Sequence, residues 1–174
     1  MHIDKDIIMR HDSDKPKGCI LVLPGRGISG NLMERFMLYT GLNDSMKIIL
    51  EPKNLEWYPA PNGPEDQQAA IWGQEVALKT LEAEVNRIER AWGFKKKDIA
   101  VMGFSAGAVM AIWMAAQSDK PYAGILSLSG AILDPEALPK AKTATPICLL
   151  HRMDDDCFKW DERYLPMKEA LQEK

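Results

Sequence analysis

The chain is 174 residues long, 46% apolar and 27% charged, with a formal net charge of −3 at pH 7. That length supports one packed domain over residues 1–174 and falls short of two of ordinary size, and the weak negative charge gives no electrostatic reason to expect a nucleic-acid partner. Its three cysteines lack metal-ligand spacing, and the start MHIDKDIIMRHDSD has no long apolar segment behind a basic one. The expectation is a soluble cytoplasmic protein with reduced thiols, no signal peptide and no membrane anchor.

The first predicted element is the strand CILVLP (19–24), continuous rather than alternating in its apolar residues, as in a sheet covered on both faces. A helix follows over 31–40 with Ser29 as its cap, then the strand MKIILE (46–51), closed by Pro52. Beyond a loop rich in Pro, Asn and Gly, a long helix is predicted from about Glu65 to Trp92; Leu78, Leu81, Val85, Ile88 and Trp92 recur on one face and Gly93 ends it. Lys95, Lys96 and Lys97 read as a solvated turn before the next strand, DIAVMGF (98–104). A helix over 106–117, strands over 123–129 and 145–151, and a final helix within 161–174 complete the pattern, Pro166 leaving that helix's start open. Strand and helix in alternation predict an α/β fold with a mostly parallel sheet and helices on both faces.

Ligands of such sheets sit beyond the carboxyl ends of the strands, and three ends carry unusual residues. Gly103-Phe104-Ser105-Ala106-Gly107 fits G-x-S-x-G between an apolar strand and a helix-forming run, the setting in which a serine is perched on a tight turn with its hydroxyl exposed. The plain alternative is a glycine-rich turn with a solvated serine. PGRGISG (24–30) matches G-x-G-x-x-G at Gly25, Gly27 and Gly30, with Glu51 ending the next strand, which is also the dinucleotide-binding fingerprint. If Ser105 is a nucleophile, the same loop supplies a backbone N–H for the oxyanion, making Arg26 and Ala106 the predicted donors. HRMDDDCF (151–158) offers Asp154, Asp155 and Asp156, one of which could orient a histidine, although three adjacent acids also suit a solvated loop.

LPGRGISG, WYPAPN, GFSAG, LSLSGAIL and HRMDDD occur in an order and spacing that resembles the phospholipase/carboxylesterase family of α/β-hydrolases, which includes acyl-protein thioesterases, from about Cys19 onward. The resemblance implies an α/β-hydrolase fold and makes Asp155 the counterpart of the triad acid and His151 a strand-end residue. Pro24 stands where the family commonly has histidine, Ala106 where it has glutamine, and Arg152 where it has glycine. The family's final strand and Gly-His loop have no counterpart: 19 residues follow Asp155, and helix, strand and histidine loop need roughly 30 or more. His2 and His11, in the N-terminal extension, are placed toward a sheet edge and are poor bases, so the catalytic histidine is expected outside these residues.

The implied function is hydrolysis of small carboxylic esters or thioesters through an acyl-enzyme, with no cofactor and no metal. Trp57, Tyr58 and Phe104 are the predicted substrate contacts, with Cys157 and Phe158 nearby; Trp72, Trp92 and Trp113 are assigned to core packing. Arg26 is left between solvent and a substrate anion. The competing readings are a nucleotide-binding oxidoreductase using Gly25, Gly27, Gly30 and Glu51, and an inactive hydrolase fold serving as a binding module.

Overall fold

A computed structural model of the chain describes residues 5–10, 15–42, 44–60, 66–132, 135–138 and 142–173. The five predicted strands form as β2 (Gly18–Leu23), β3 (Ser45–Pro52), β4 (Ile99–Phe104), β5 (Gly124–Leu128) and β6 (Ile147–Leu150), all parallel, in the order β3-β2-β4-β5-β6. A sixth strand, β1 (Lys5–Arg10), joins antiparallel outside β3, Lys5 opposite Pro52 and Arg10 opposite Lys47. No strand is legible there in the sequence: Lys5, Asp6 and Arg10 dilute the short apolar run, and the strand is defined by its partner rather than by local pattern. His2 and His11 lie outside the described residues.

Alternation of side chains divides the sheet into two faces. One carries Ile48, Leu21, Val101, Ile125 and Ile147 in register across β3, β2, β4, β5 and β6. It packs with helix residues Leu81, Val85, Ile88, Met110 and Met167 in the main core. Those residues belong to α2 (Gln67–Trp92), α3 (Ala106–Gln117) and α4 (Leu165–Glu173). The opposite face carries Ile49, Val22, Met102, Leu126 and Cys148, and α1 (Gly30–Leu38) covers part of it through Met33 and Met37.

The predicted boundaries follow from identifiable signals. The Ser29 hydroxyl accepts the Leu32 N–H at 3.4 Å and caps α1. Gly93 ends α2 in the left-handed conformation, φ 76°. Before α4 the chain makes a π turn over Trp160–Tyr164, so Pro166 falls in the first turn of the α-helix, where a missing N–H is tolerated. The lysine run forms a 3₁₀ turn, with Lys96 half-buried and donating to Ser118 Oγ at 2.9 Å and Asp119 at 3.2 Å. Two aromatic assignments are corrected. Trp113 is buried in the core, but Trp72 and Trp92 are exposed, because each stands on the α2 face turned from the sheet or at the fraying end of that helix. The three cysteines are free, Cys19 buried and Cys148 and Cys157 exposed. Among the described residues no helix is long and apolar enough to cross a membrane.

This division predicts unequal responses to substitution. Leu21→Ala, at a fully buried central-strand position, should lower unfolding free energy by about 2–5 kcal/mol, and Trp72→Ser should change it by less than about 1 kcal/mol. Urea titrations followed by circular dichroism measure both; comparable losses would mean that Trp72 packs in the core.

Candidate active site

Ser105 sits between β4 and α3 with φ 51° and ψ −117°, a combination that side-chain-bearing residues rarely adopt. Two backbone contacts impose it. A Cβ on Gly107 would lie 2.1 Å from the Leu23 carbonyl oxygen, and one on Gly103 would lie 2.3 Å from the Gly107 oxygen. Only glycines let α3 begin this close to the ends of β2 and β4. The turn is tied into the sheet by Ser105 N–H donating to Leu128 O at 2.8 Å. Ala106 opens α3, so its N–H has no intrahelical acceptor and points out of the positive end of the helix dipole.

The loop after β2 runs alongside. A Cβ on Gly25 would lie 3.2 Å from Ser105 Cβ and 2.9 Å from Phe104 Cδ1, so Pro24-Gly25-Arg26 passes in contact with the serine turn. Gly25 O accepts Ile28 N–H at 3.1 Å and Gly27 N–H donates to Leu55 O at 3.0 Å, while the Arg26 N–H has no backbone acceptor among the described residues. The Arg26 guanidinium donates to Tyr58 O at 2.8 Å, lies 3.4 Å from the Glu56 carboxylate and stacks over the Tyr58 ring. Glu51 accepts the Gly30 N–H and occupies the N-terminus of α1.

At the end of β6 the three acids separate. Asp154 is exposed and paired with Arg152 through two contacts at 3.0 and 2.7 Å, and the Arg152 guanidinium holds its carboxyl below the ordinary range. Asp155 is half-buried, and its Oδ1 accepts the N–H groups of Cys157 at 2.9 Å and Phe158 at 2.8 Å. Its second oxygen has no protein partner among the described residues. The His151 ring meets the Phe158 carbonyl through Nε2 at 2.6 Å and stacks on Tyr164 at 4.6 Å. A carbonyl can only accept, so Nε2 carries the proton and the ring is fixed in the aromatic cluster around Trp160 and Tyr164.

Of the predicted substrate contacts, Phe104 is partly exposed, whereas Trp57 and Tyr58 are 2% and 5% exposed and face inward. The Trp57 indole N–H donates to Pro24 O at 2.7 Å. Burial pushes the Tyr58 hydroxyl up to about 12 from its ordinary 10.0, against the opposing influence of Arg26 and a hydrogen bond with Gln74. Phe104 and Leu128 join Ile28, Leu32, Phe36 and Tyr39 along an open apolar groove of about 470 Å³. Two features were not anticipated from sequence. Ser129 takes φ 48° at the end of β5 and donates to Leu150 O at 2.8 Å, repeating one strand along the step made by Ser105; the Ser-x-Gly and Ser-Gly pairs were the available signal. Asn54 and Leu55 both take positive φ, 56° and 57°, and no local residue pattern marks Leu55 for it.

A family model described as Phospholipase/Carboxylesterase matches residues 12–172. Among solved structures, the chain is similar to esterase PE8, at 23% identity and TM-score 0.81, over 99% of this chain and 83% of that one. It is also similar to a phospholipase/carboxylesterase from Dyadobacter fermentans, at 21% identity and TM-score 0.83, over 99% and 84%. Arabidopsis thaliana SOBER1 aligns at 20% identity and TM-score 0.69, over 88% and 83%.

Two outcomes follow from the geometry. At position 105, glycine should be more stable than alanine by about 1 kcal/mol, because only the methyl is strained at positive φ; equal denaturation midpoints for Ser105→Gly and Ser105→Ala would place the residue in ordinary backbone. The raised Tyr58 value means that the fold favours the neutral phenol, a contribution present below pH 10.0 and lost as pH rises toward about 12. Urea midpoints of the wild type should therefore fall relative to Tyr58→Phe between about pH 10 and about pH 12, the window of that shift, with Tyr122 and Cys19 titrating equally in both proteins.

Proposed function

The chain belongs to the phospholipase/carboxylesterase family, whose description makes it an ester hydrolase in general terms, and from that premise we propose that Ser105 is the nucleophile of a carboxylesterase or thioesterase. The observation that carries this reading is the strained strand-to-helix conformation of Ser105, φ 51° and ψ −117°, beside two backbone N–H groups that have no acceptor among the described residues. Strain of this kind costs on the order of 1–3 kcal/mol and persists where the surroundings over-determine it.

In the proposed reaction Ser105 Oγ attacks the ester carbonyl carbon while a histidine accepts its proton. Negative charge moves onto the carbonyl oxygen, where the N–H groups of Arg26 and Ala106 stabilise it. Collapse of the tetrahedral intermediate expels the alcohol or thiol, which takes the proton from histidine, and leaves an acyl-serine. Water, deprotonated by the same histidine, then releases the carboxylic acid and restores Ser105. Asp155 is the group proposed to orient that histidine. The two amides on its Oδ1 fix the carboxylate, and its other oxygen is available to accept the ring N–H.

His151 is engaged by Phe158 and Tyr164, and the base in this proposal is a histidine beyond the described residues. The outer edge of β6, unpaired among the described residues, and the apolar groove beside Phe104 and Leu128 are surfaces that a segment carrying it would cover. Phe104 is the proposed contact for an apolar acyl or aryl group, and the reaction as written uses neither metal nor cofactor. A cytoplasmic location, and a partner range confined to small esters without nucleic acid, belong to the same proposal.

The oxidoreductase reading fares worse. Glu51, needed there for a ribose hydroxyl, is bound to Gly30 N–H, and its carboxylate occupies the helix end where a pyrophosphate would sit.

A fluorophosphonate probe and p-nitrophenyl acetate test the assignment. The wild type, with imidazole supplied where the protein assayed lacks the histidine, should be labelled and turn over the ester, and Ser105→Ala should lose both signals. Asp155→Asn should lower kcat by about 10³–10⁴-fold, as expected for loss of the acid that fixes the histidine tautomer. Equal labelling of wild type and Ser105→Ala would remove Ser105 from the mechanism. An unlabelled wild type that stays inactive when imidazole is supplied would favour a non-catalytic binding role.

A further inference from the structure

Every residue from Leu55 to Tyr58 touches the turn that carries Arg26. Leu55 O accepts Gly27 N–H at 3.0 Å, Glu56 lies 3.4 Å from Arg26 Nε, Trp57 Nε1 donates to Pro24 O at 2.7 Å, and Tyr58 O accepts Arg26 Nη2 at 2.8 Å. On its other side the same turn rests, through Gly25, against Phe104 and Ser105. We propose that Trp57 is a positioning residue that, with Leu55 and Tyr58, holds the Arg26 N–H at a fixed place relative to Ser105. This inference rests on the hydrolase reading and adds to it a part for a segment that touches no reacting atom.

Three features support the assignment. Trp57 and Pro24 are both buried, so the indole N–H and the Pro24 carbonyl each need a partner and find it in the other. The segment is bent by positive φ at Asn54 and Leu55, and leucine is a poor residue for that conformation. A bend so disfavoured survives because the contacts it makes possible hold it. Finally, α2 closes against the segment from behind: a Cβ on Gly73 would lie 2.7 Å from Pro59 Cδ and 3.0 Å from Tyr58 Cβ. Arg26 is therefore gripped between a backed loop and the serine turn, and its side chain is used in the grip rather than offered to a substrate anion.

An oxyanion donor works by being in place before charge develops. Loosening it should weaken binding of the transition state while leaving binding of the ester nearly unchanged, which lowers kcat and spares KM. The test uses the full chain, with imidazole supplied as the base where it lacks one, and Trp57→Phe, which keeps an aromatic ring and deletes the indole N–H. A second variant, Arg26→Ala, keeps the backbone N–H and deletes the guanidinium contacts without opening the core. In Trp57→Phe, amide exchange across Gly25–Ile28 should quicken about tenfold and kcat for p-nitrophenyl acetate should fall about tenfold, with KM within about twofold. Arg26→Ala should move the same way by less. Unchanged exchange across Gly25–Ile28 in both variants would overturn the inference, as would a raised KM with kcat kept. Turnover retained by Ser105→Ala would count against the hydrolase reading instead, and the exchange rates would still report whether the grip exists.

Discussion

The contact on which the site depends involves no side chain: the carbonyl of Leu23, at the end of β2, meets the backbone of Gly107 in the first turn of α3. Helices usually stand off a sheet by the thickness of the side chains between them. Here that spacing is absent at one point, so α3 begins directly on the strand ends and the chain has a single residue in which to turn from β4 into the helix. That residue is Ser105, and its positive φ is the geometric consequence. The same closeness brings the Ala106 N–H beside the serine and sets Gly25 against both. α3 can be held so firmly because eleven of its twelve residues are buried, which makes it a core element rather than an amphipathic surface helix.

Most of this arrangement was legible in the residues. The central strand CILVLP reads as a continuous apolar run, because a strand buried on both faces needs apolar residues at every position. The G-x-S-x-G spacing marked the turn, and the order of strand ends placed the acidic loop on the same side of the sheet. What escaped was what tertiary contacts decide. β1 exists because β3 offers it an edge, and no periodicity within KDIIMR announces that. Trp72 and Trp92 sit on a helix whose apolar stripe is carried by smaller residues, so assigning indoles to the interior by hydrophobicity placed them wrongly. Trp57 shows the opposite case: an aromatic in a polar loop reads as a ligand contact, while the structure buries it behind the loop with its N–H turned to Pro24.

The two faces of the sheet are unequally covered. α2, α3 and α4 blanket the face bearing Leu21, Val101 and Ile125, whereas α1 shields the other through Met33 and Met37 and leaves Leu128 and Phe104 along an apolar groove. Patches of this character on soluble proteins mark surfaces that meet something else. β6 stands at the same side, exposing Leu150, and ends in the loop where Asp155 is held by two backbone amides. The serine turn thus adjoins the best-covered face, and the Asp155 loop adjoins the least-covered one.

The glycine pattern after β2 illustrates how one spacing serves two chemistries. A loop with glycines at 25, 27 and 30 leading into a helix can cradle a pyrophosphate at the helix N-terminus, and the distinction lies in what already fills that position. In this chain the carboxylate of Glu51 is bound to the Gly30 N–H, so α1 carries its own anion and a second would face like charge. α3 is the reverse: it opens with Ala106 directly behind a strained serine, and among the described residues no side chain takes the Ala106 N–H. Two helices therefore begin at neighbouring strand ends with similar glycine-rich approaches. One has its positive end neutralised from within, and the other opens directly beside Ser105.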